Sequence, residues 1–229
     1  FKPFAYTISN FLIHRCFEQI RNDIVLHNYP VVLLGTSTGF DNAPLGPTHH
    51  VVDDWGCLRG IPGIDIFCPS TASYAKRIID ELTHTRRPCY VRIPKGEGLD
   101  LSDEHIAHLE GKDKNTVICT YGGIAGVCYE AIQENPGTGM LVFNRLVPLD
   151  EDVLTDCLRS YQHVVVVEDH FGKSGLYGML CEIILRRELF LDIQSVAPTA
   201  YQFSAGICQN DFFKDFGACV ASISNLVRM

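Results

Sequence analysis

The run Val31-Val32-Leu33-Leu34-Gly35-Thr36-Ser37-Thr38-Gly39-Phe40-Asp41-Asn42-Ala43-Pro44-Leu45-Gly46-Pro47-Thr48-His49-His50 decides the fold class. Its first four residues form an uninterrupted apolar stretch behind Pro30, as a strand buried on both faces of a parallel sheet requires. The rest is a loop rich in glycine and proline, long for a strand-to-helix connection, with two histidines at its end. In open α/β sheets, loops leaving the carboxyl ends of strands form ligand sites. The run therefore predicts an α/β sheet and marks its loop as a candidate site. A surface loop with solvated histidines is the plainer reading of the same residues.

Working outward, residues 4–8 read as a short strand. Ser9 or Asn10 can cap a helix over about 9–27, with Phe11, Phe17, Ile20, Ile24 and Val25 close to helical spacing. A helix is expected over 51–59, a strand over 64–67, a helix over 71–84 and a strand over 89–93 that stops at Pro94. From 95 to about 115 the chain turns polar. Beyond it, strands are expected over 116–120, 140–143, 164–167 and 192–196. Helices are expected from 123 to about 134, then over 150–161, 175–189 and 211–227. Strand alternates with helix throughout, so the expected fold is α/β, with two parallel-sheet, three-layer lobes. The first domain is placed at 1–98, a linker at 99–114 and the second domain at 115–229. The first lobe opens on a strand with no helix before it, which predicts further chain upstream.

Composition narrows the classes. The 229 residues carry a net charge of −8, with no basic cluster to neutralise phosphates, so a general nucleic-acid binder is excluded. Hydrophobic residues make up 46% and charged ones 20%, a globular balance rather than a disordered one. No apolar run reaches the roughly 18 residues of a membrane helix, and no secretory signal opens the sequence. No two of the ten cysteines are spaced as CxxC, which removes zinc-ribbon and thioredoxin readings. Most sit in apolar segments, so free buried thiols and a cytoplasmic setting are expected.

Four places can carry chemistry. The first is the loop at 35–50, with His49 and His50. The second is the face Phe11, His14, Phe17, three apart and so near one another on a helix, where His14 can equally be a surface residue. The third is Arg92, inside an apolar strand, where a buried guanidinium must find an anion, either a ligand or a neighbouring Asp or Glu. The fourth is the stretch Glu168-Asp169-His170-Phe171-Gly172-Lys173-Ser174-Gly175-Leu176-Tyr177-Gly178, whose glycines either admit a phosphate or allow a tight strand–helix turn. It matches neither GxGxxG nor a P-loop.

Several of these segments, taken in order, resemble one family. Phe11-Leu12-Ile13-His14-Arg15-Cys16-Phe17-Glu18-Gln19-Ile20-Arg21-Asn22-Asp23 is similar to the pyrimidine-binding domain of transketolases and 1-deoxyxylulose-5-phosphate synthases. Gly46-Pro47-Thr48-His49 looks like their Gly-Pro-Thr-His signature. Leu58-Arg59-Gly60-Ile61-Pro62-Gly63, Cys68-Pro69-Ser70 and Tyr90-Val91-Arg92-Ile93-Pro94-Lys95-Gly96 keep the family order. From Thr116 on, including Val167-Glu168-Asp169-His170, the chain resembles the transketolase C-terminal domain.

The resemblance implies a thiamine-diphosphate-dependent transferase that moves a ketol or acyl fragment from a ketose-type donor to an aldehyde acceptor. It implies that Phe11 stacks on the aminopyrimidine, that Phe17 forms a second wall and that His14 lies near the same pocket. It implies that His49 faces the reacting carbonyl as a proton donor or acceptor, and that Arg92 holds a sugar phosphate. Leu45 stands where the family has an aspartate that contacts a donor hydroxyl, and Thr36-Ser37-Thr38 stand where it has a histidine, so an altered substrate is expected. Leu45 is expected in an apolar niche where a carboxylate would be costly.

The family motif for the diphosphate and its Mg2+, Gly-Asp-Gly followed by Asn, does not occur here, and the family's catalytic glutamate would lie before Phe1. The resemblance thus implies the C-terminal subunit, or a C-terminal portion, of a split enzyme, with the glutamate either on a preceding segment or absent from this subunit. An N-terminal transketolase subunit would hold diphosphate and metal, and a homodimeric contact would complete a heterotetramer. Two other readings stand beside it. One is a non-catalytic assembly module of the same fold. The other is the beta subunit of a 2-oxoacid dehydrogenase, which Pro69-Ser70-Thr71 and Ala75-Lys76 resemble mildly.

Overall fold

The computed structural model describes residues 1–96 and 98–228. The first lobe runs β1 (Phe4–Ile8), α1 (Ser9–Ile13), α2 (Phe17–Gln19), β2 (Val32–Thr36), α3 (Asp54–Arg59), β3 (Asp65–Phe67), α4 (Ala72–His84) and β4 (Cys89–Ile93). The second runs β5 (Ile106–Leu109), β6 (Thr116–Thr120), α5 (Ala125–Glu134), β7 (Gly139–Phe143), β8 (Arg145–Val147), α6 (Glu151–Leu158), β9 (His163–Val167), α7 (Leu176–Arg186), β10 (Asp192–Val196), α8 (Gln209–Asp215) and α9 (Val220–Val227).

Two five-stranded sheets result, ordered β1-β2-β4-β3-β8 and β10-β9-β6-β7-β5. Each has four parallel strands and one antiparallel edge, so the two expected α/β lobes are present. The edge strands depart from expectation. β5 lies inside the stretch read as a linker and pairs with β7. β8 follows β7 in sequence yet crosses to the first sheet and pairs with β3. One strand, β8, thus crosses from the second stretch of chain to close the edge of the first sheet.

The helix expected over 9–27 is broken. It stops at Ile13, resumes for one short turn at Phe17–Gln19 and continues as a π-helix over Ile20–Val25. The closing helix is likewise two, α8 and α9, separated at Gly217, whose φ of +83° ends a helix readily.

Alternation along the strands explains the layers. On β6 and β7, Val117, Cys119, Leu141 and Phe143 point to a core shared with α6 and α7, while Ile118, Met140 and Val142 point to a second core with α5, α8 and α9. The first of these cores also takes Leu12, Ile13, Leu33, Trp55, Leu58 and Tyr90 from the first lobe, and the second takes Phe40, Ala43 and Val52. The lobes are thus joined by continuous apolar packing. All ten cysteines are free; Cys68, Cys89, Cys119 and Cys128 are buried, whereas Cys16, Cys57 and Cys208 are exposed.

Candidate functional site

β2 ends at Thr36, and the chain enters the loop at the carboxyl edge of the sheet. Asp41 anchors the loop: its Oδ2 accepts the Thr38 and Lys95 backbone N–H groups, both at 2.9 Å. Gly39 and Gly46 are required where they stand. Both have positive φ (+53° and +79°). A Cβ on Gly39 would run into the Asp169 carboxylate, and one on Gly46 would come within 3.2 Å of Ala205.

The loop sends its two histidines in opposite directions. His50 turns inward and stands edge-on to the stacked pair Phe40 and Phe212, ring centroids 5.2 and 4.9 Å away. Its Nε2–H donates to the Ala43 carbonyl at 3.2 Å, and burial lowers its pKa, so it is a neutral core histidine. His49 turns outward. Its ring stands edge-on to Phe11 at 5.1 Å, and its Nδ1 pairs with the Thr48 hydroxyl at 2.9 Å. Among the described residues nothing engages Nε2, which is the nitrogen left for chemistry.

Helix α1 brings three groups to that face. The Asn10 side-chain amide donates to the Thr48 carbonyl and ties helix to loop. Phe11 is half-buried, with the Arg15 guanidinium 4.1 Å from its ring centroid. His14 donates from Nε2 to Asp53 Oδ1 at 2.9 Å. That hydrogen bond raises the His14 pKa above the ordinary histidine value, against the opposing effect of burial. Burial alone would push Asp53 up, but the hydrogen bonds from His14 and Tyr201 outweigh it and hold the carboxyl below its usual range. Phe11, His14 and His49 are thus brought together. Phe17, partly buried, packs against the core that contains Leu12 and Ile13. Leu45 occupies no apolar niche: it is 58% exposed at the end of a 3-10 turn.

Arg92 is the main correction. The resemblance implies a phosphate-binding arginine, but the side chain is 0% exposed and each of its three nitrogens already donates within the protein. Nε donates to Asp54 at 3.1 Å, one terminal nitrogen to Asp169 at 3.0 Å and the other to the Val51 carbonyl at 3.0 Å. The neighbouring-carboxylate reading of this buried guanidinium is the one the structure bears out. In this arrangement the guanidinium presents no surface to a ligand.

The stretch at 168–178 supplies the other half of that arrangement. Glu168 accepts the Leu176 and Tyr177 N–H groups, each at 2.9 Å, which seats the start of α7. It also accepts the Tyr121 hydroxyl at 3.0 Å, and Tyr121 in turn accepts the Trp55 indole N–H at 2.9 Å. His170 donates from Nδ1 to the Phe171 carbonyl and accepts the Gly56 N–H at Nε2, which fixes a neutral tautomer. Burial lowers its pKa to about 4. These glycines serve a turn and lobe packing.

Sequence reasoning missed Asp53, Asn10 and Arg15 at this face, and Tyr201, whose hydroxyl donates to Asp53 Oδ2 at 2.6 Å. Asp53 carried a weak signal, an acid at the start of a helix just after the signature. Tyr201 carried none.

The face offers an aromatic surface to a flat heteroaromatic ring, with the Arg15 guanidinium over the Phe11 ring and the His49 imidazole at its edge. The metal is different. Among the described residues no group of three or more His, Cys, Asp or Glu side chains is clustered to hold an ion.

Two α/β lobes that share their core, with an aromatic–histidine face at the strand ends of the first, define a fold class: the two-lobe arrangement of the C-terminal portion of transketolases. Residues 1–99 match the model of the transketolase pyrimidine binding domain. An apulose-4-phosphate transketolase subunit from Actinobacillus succinogenes is 29% identical over 187 residues, which are 76% of this chain and 59% of that protein. The 1-deoxy-D-xylulose-5-phosphate synthase of Syntrophus aciditrophicus is 27% identical over 199 residues, 82% of this chain and 30% of that one. The chain thus spans little more than half of the first relative and under a third of the second. Among solved structures, one described as a split gene transketolase, an inactive beta4 tetramer, aligns with a TM-score of 0.84 at 22% identity, covering 99% of this chain and 75% of its own. Campylobacter jejuni transketolase aligns with a TM-score of 0.78 at 14% identity, covering 98% and 35%. Residues 1–99 belong to the transketolase family as its pyrimidine-binding domain, and the chain as a whole has the fold of that family's C-terminal portion.

Proposed function

We propose that this chain is the C-terminal subunit of a split, thiamine-diphosphate-dependent transketolase-like enzyme that transfers a ketol or acyl fragment from a ketose-type donor to an aldehyde acceptor. The observation that carries the reading is the Phe11–His49 pair, centroids 5.1 Å apart, at the strand ends of a pyrimidine-binding domain. The similarity to a protein that is itself one subunit of a transketolase supports the split arrangement.

In this reading Phe11 holds the aminopyrimidine ring by stacking, and His14 and Arg15 border it. Thiamine diphosphate, when bound, supplies a nucleophilic carbon that adds to a ketone and allows the adjoining carbon–carbon bond to break. His49 holds or gives a proton at the substrate carbonyl oxygen through Nε2, a task suited to an imidazole. A partner chain supplies the diphosphate and Mg2+ contacts, and two such pairs assemble about a two-fold axis as a heterotetramer.

Arg92 gives a second reading its footing. With that guanidinium closed by Asp54 and Asp169, a phosphorylated donor loses the anchor the family offers, and a module that keeps the fold without the chemistry fits that loss.

The test is co-expression with a partner chain that carries the diphosphate and metal motif. The purified complex is assayed for ketol transfer and its mass measured by sedimentation. Turnover that needs both chains supports the enzyme. A stable complex without turnover across ketose donors supports the module.

A further inference from the structure

Asp53 stands just ahead of α3, four residues after His49, and divides its two oxygens between distant segments. Oδ1 accepts from His14 of the first helical turn at 2.9 Å, and Oδ2 accepts from Tyr201 of the second lobe at 2.6 Å. Tyr201 belongs to a strap of irregular backbone, residues 197–208, that crosses the His49 loop. The Gly206 N–H donates to the Pro44 carbonyl at 2.9 Å, and beyond the strap Gln209 donates to Asp41 at 3.1 Å. Ala205 lies against Gly46, and the Tyr201 ring meets Phe171 edge-on at 4.9 Å.

We propose that Asp53 is a positioning residue of this site: it sets the direction of the His14 ring beside Phe11 and ties the second-lobe strap over the loop that carries His49. The proposal rests on the reading of the Phe11–His49 face as the reacting face.

The geometry gives each arm a role. With Nε2–H committed to Asp53, the His14 ring is fixed and its Nδ1 points away from the carboxylate, available to an incoming polar group. The hydrogen bond to an anion also favours the charged ring, in line with the raised His14 pKa. The groups facing this pair are Asp54 and Cys57 of α3, His170 of the second lobe and Tyr201 of the strap. Among the described residues Asp53 is the acid that bonds both His14 and the strap. Its loss should therefore free ring and strap together, whereas loss of the Tyr201 hydroxyl should free the strap alone.

The experiment uses the full chain. Histidine NMR titration reads the His14 midpoint, and hydrogen exchange reads the amides of 197–208. In Asp53→Asn the His14 midpoint should fall by about one pH unit and strap exchange should rise about tenfold. In Tyr201→Phe strap exchange should rise while the His14 midpoint holds. Asp53→Glu should restore the midpoint. In the complex with its partner, Asp53→Asn should lower kcat about tenfold and move the acid limb of the kcat–pH profile, with cofactor affinity unchanged. An unmoved His14 midpoint in Asp53→Asn, an unmoved strap in both variants, or an unchanged kcat profile overturns the proposal. A wild-type complex without turnover overturns the functional reading instead, and the titration and exchange arms still decide whether Asp53 holds ring and strap.

Discussion

Arg92 of the first lobe donates to Asp169 of the second across 3.0 Å, with 0% and 2% of the two side chains exposed. The same guanidinium holds Asp54 on its other edge, so one cation serves two buried carboxylates from different lobes. Removing it leaves both acids uncompensated. Arg92→Met should therefore cost about 3–5 kcal/mol of stability, the usual penalty for orphaning a buried charge. Asp169→Asn should cost less, about 1–3 kcal/mol, because Arg92 keeps Asp54. Urea unfolding followed by circular dichroism reads both. An arginine kept for a substrate phosphate would behave otherwise, raising KM while leaving stability nearly untouched.

Leu45 gives a contrasting case. It stands 58% exposed beside the signature loop, so a carboxylate there remains in water. Leu45→Asp should shift stability by no more than about 0.5 kcal/mol in either direction, as surface changes do. Thermal unfolding checks it. A loss of several kcal/mol would mean that the side chain is covered in the assembled protein.

How much of this was legible can be argued from particular residues. The strands Phe4–Ile8, Cys89–Ile93, Thr116–Thr120 and Asp192–Val196 were read to the residue. They are apolar or alternating runs bounded by turn-formers, where local pattern and tertiary burial agree. Ile106-Ala107-His108-Leu109 and Arg145-Leu146-Val147 were missed as strands. Both are short antiparallel edges of mixed polarity, and β8 takes its place from a partner in the other lobe. At the site, Phe11, His14 and His49 were found through their resemblance to a motif. Asp53 and Tyr201 were not, because a hydrogen bond across 148 residues leaves no periodicity to read. Arg92 was legible as a buried cation, but its partners were not. Asp169 stands 77 residues away, on the far side of the lobe boundary.

Glu168 carries a pH dependence whose sign can be worked out. Burial pushes its pKa up from 4.5 to about 7, against the hydrogen bonds from Tyr177, Leu176 and Tyr121. The folded chain therefore holds this proton where the unfolded chain has lost it. Its contribution to stability falls as pH rises from about 4.5 to about 7 and is flat above. His170 works in the opposite sense. With its pKa lowered from 6.5 to about 4, its contribution rises with pH across that interval. The raw profile mixes the two, so the readout is the difference between wild type and Glu168→Gln. The wild type's stability relative to the variant should fall as pH rises between 4.5 and 7 and then level off. The variant should also be less stable at acid pH by about 1–3 kcal/mol, because its amide N–H2 faces a backbone donor that now lacks an acceptor. A difference independent of pH would show that Glu168 titrates alike in both states.

The last prediction separates the two members of the pair on which the function rests. His49 turns Nε2 outward, while its Nδ1 is held by Thr48 at 2.9 Å, so its loss removes a proton carrier and little else. His49→Ala in the reconstituted complex should lower turnover by about 10²–10⁴-fold with cofactor affinity nearly unchanged. Phe11 works by surface. Its ring is half-buried and carries the Arg15 guanidinium at 4.1 Å, so an incoming aromatic ring gains stacking there while sharing the ring with a cation. Phe11→Ala should weaken cofactor binding by about 1–3 kcal/mol from lost stacking and burial. Turnover at saturating cofactor should change much less. Titration of thiamine diphosphate into the complex and steady-state kinetics at saturation distinguish the two effects. If His49→Ala turned over as fast as wild type, His49 would be out of the chemistry, and the non-catalytic module would become the better account of this fold.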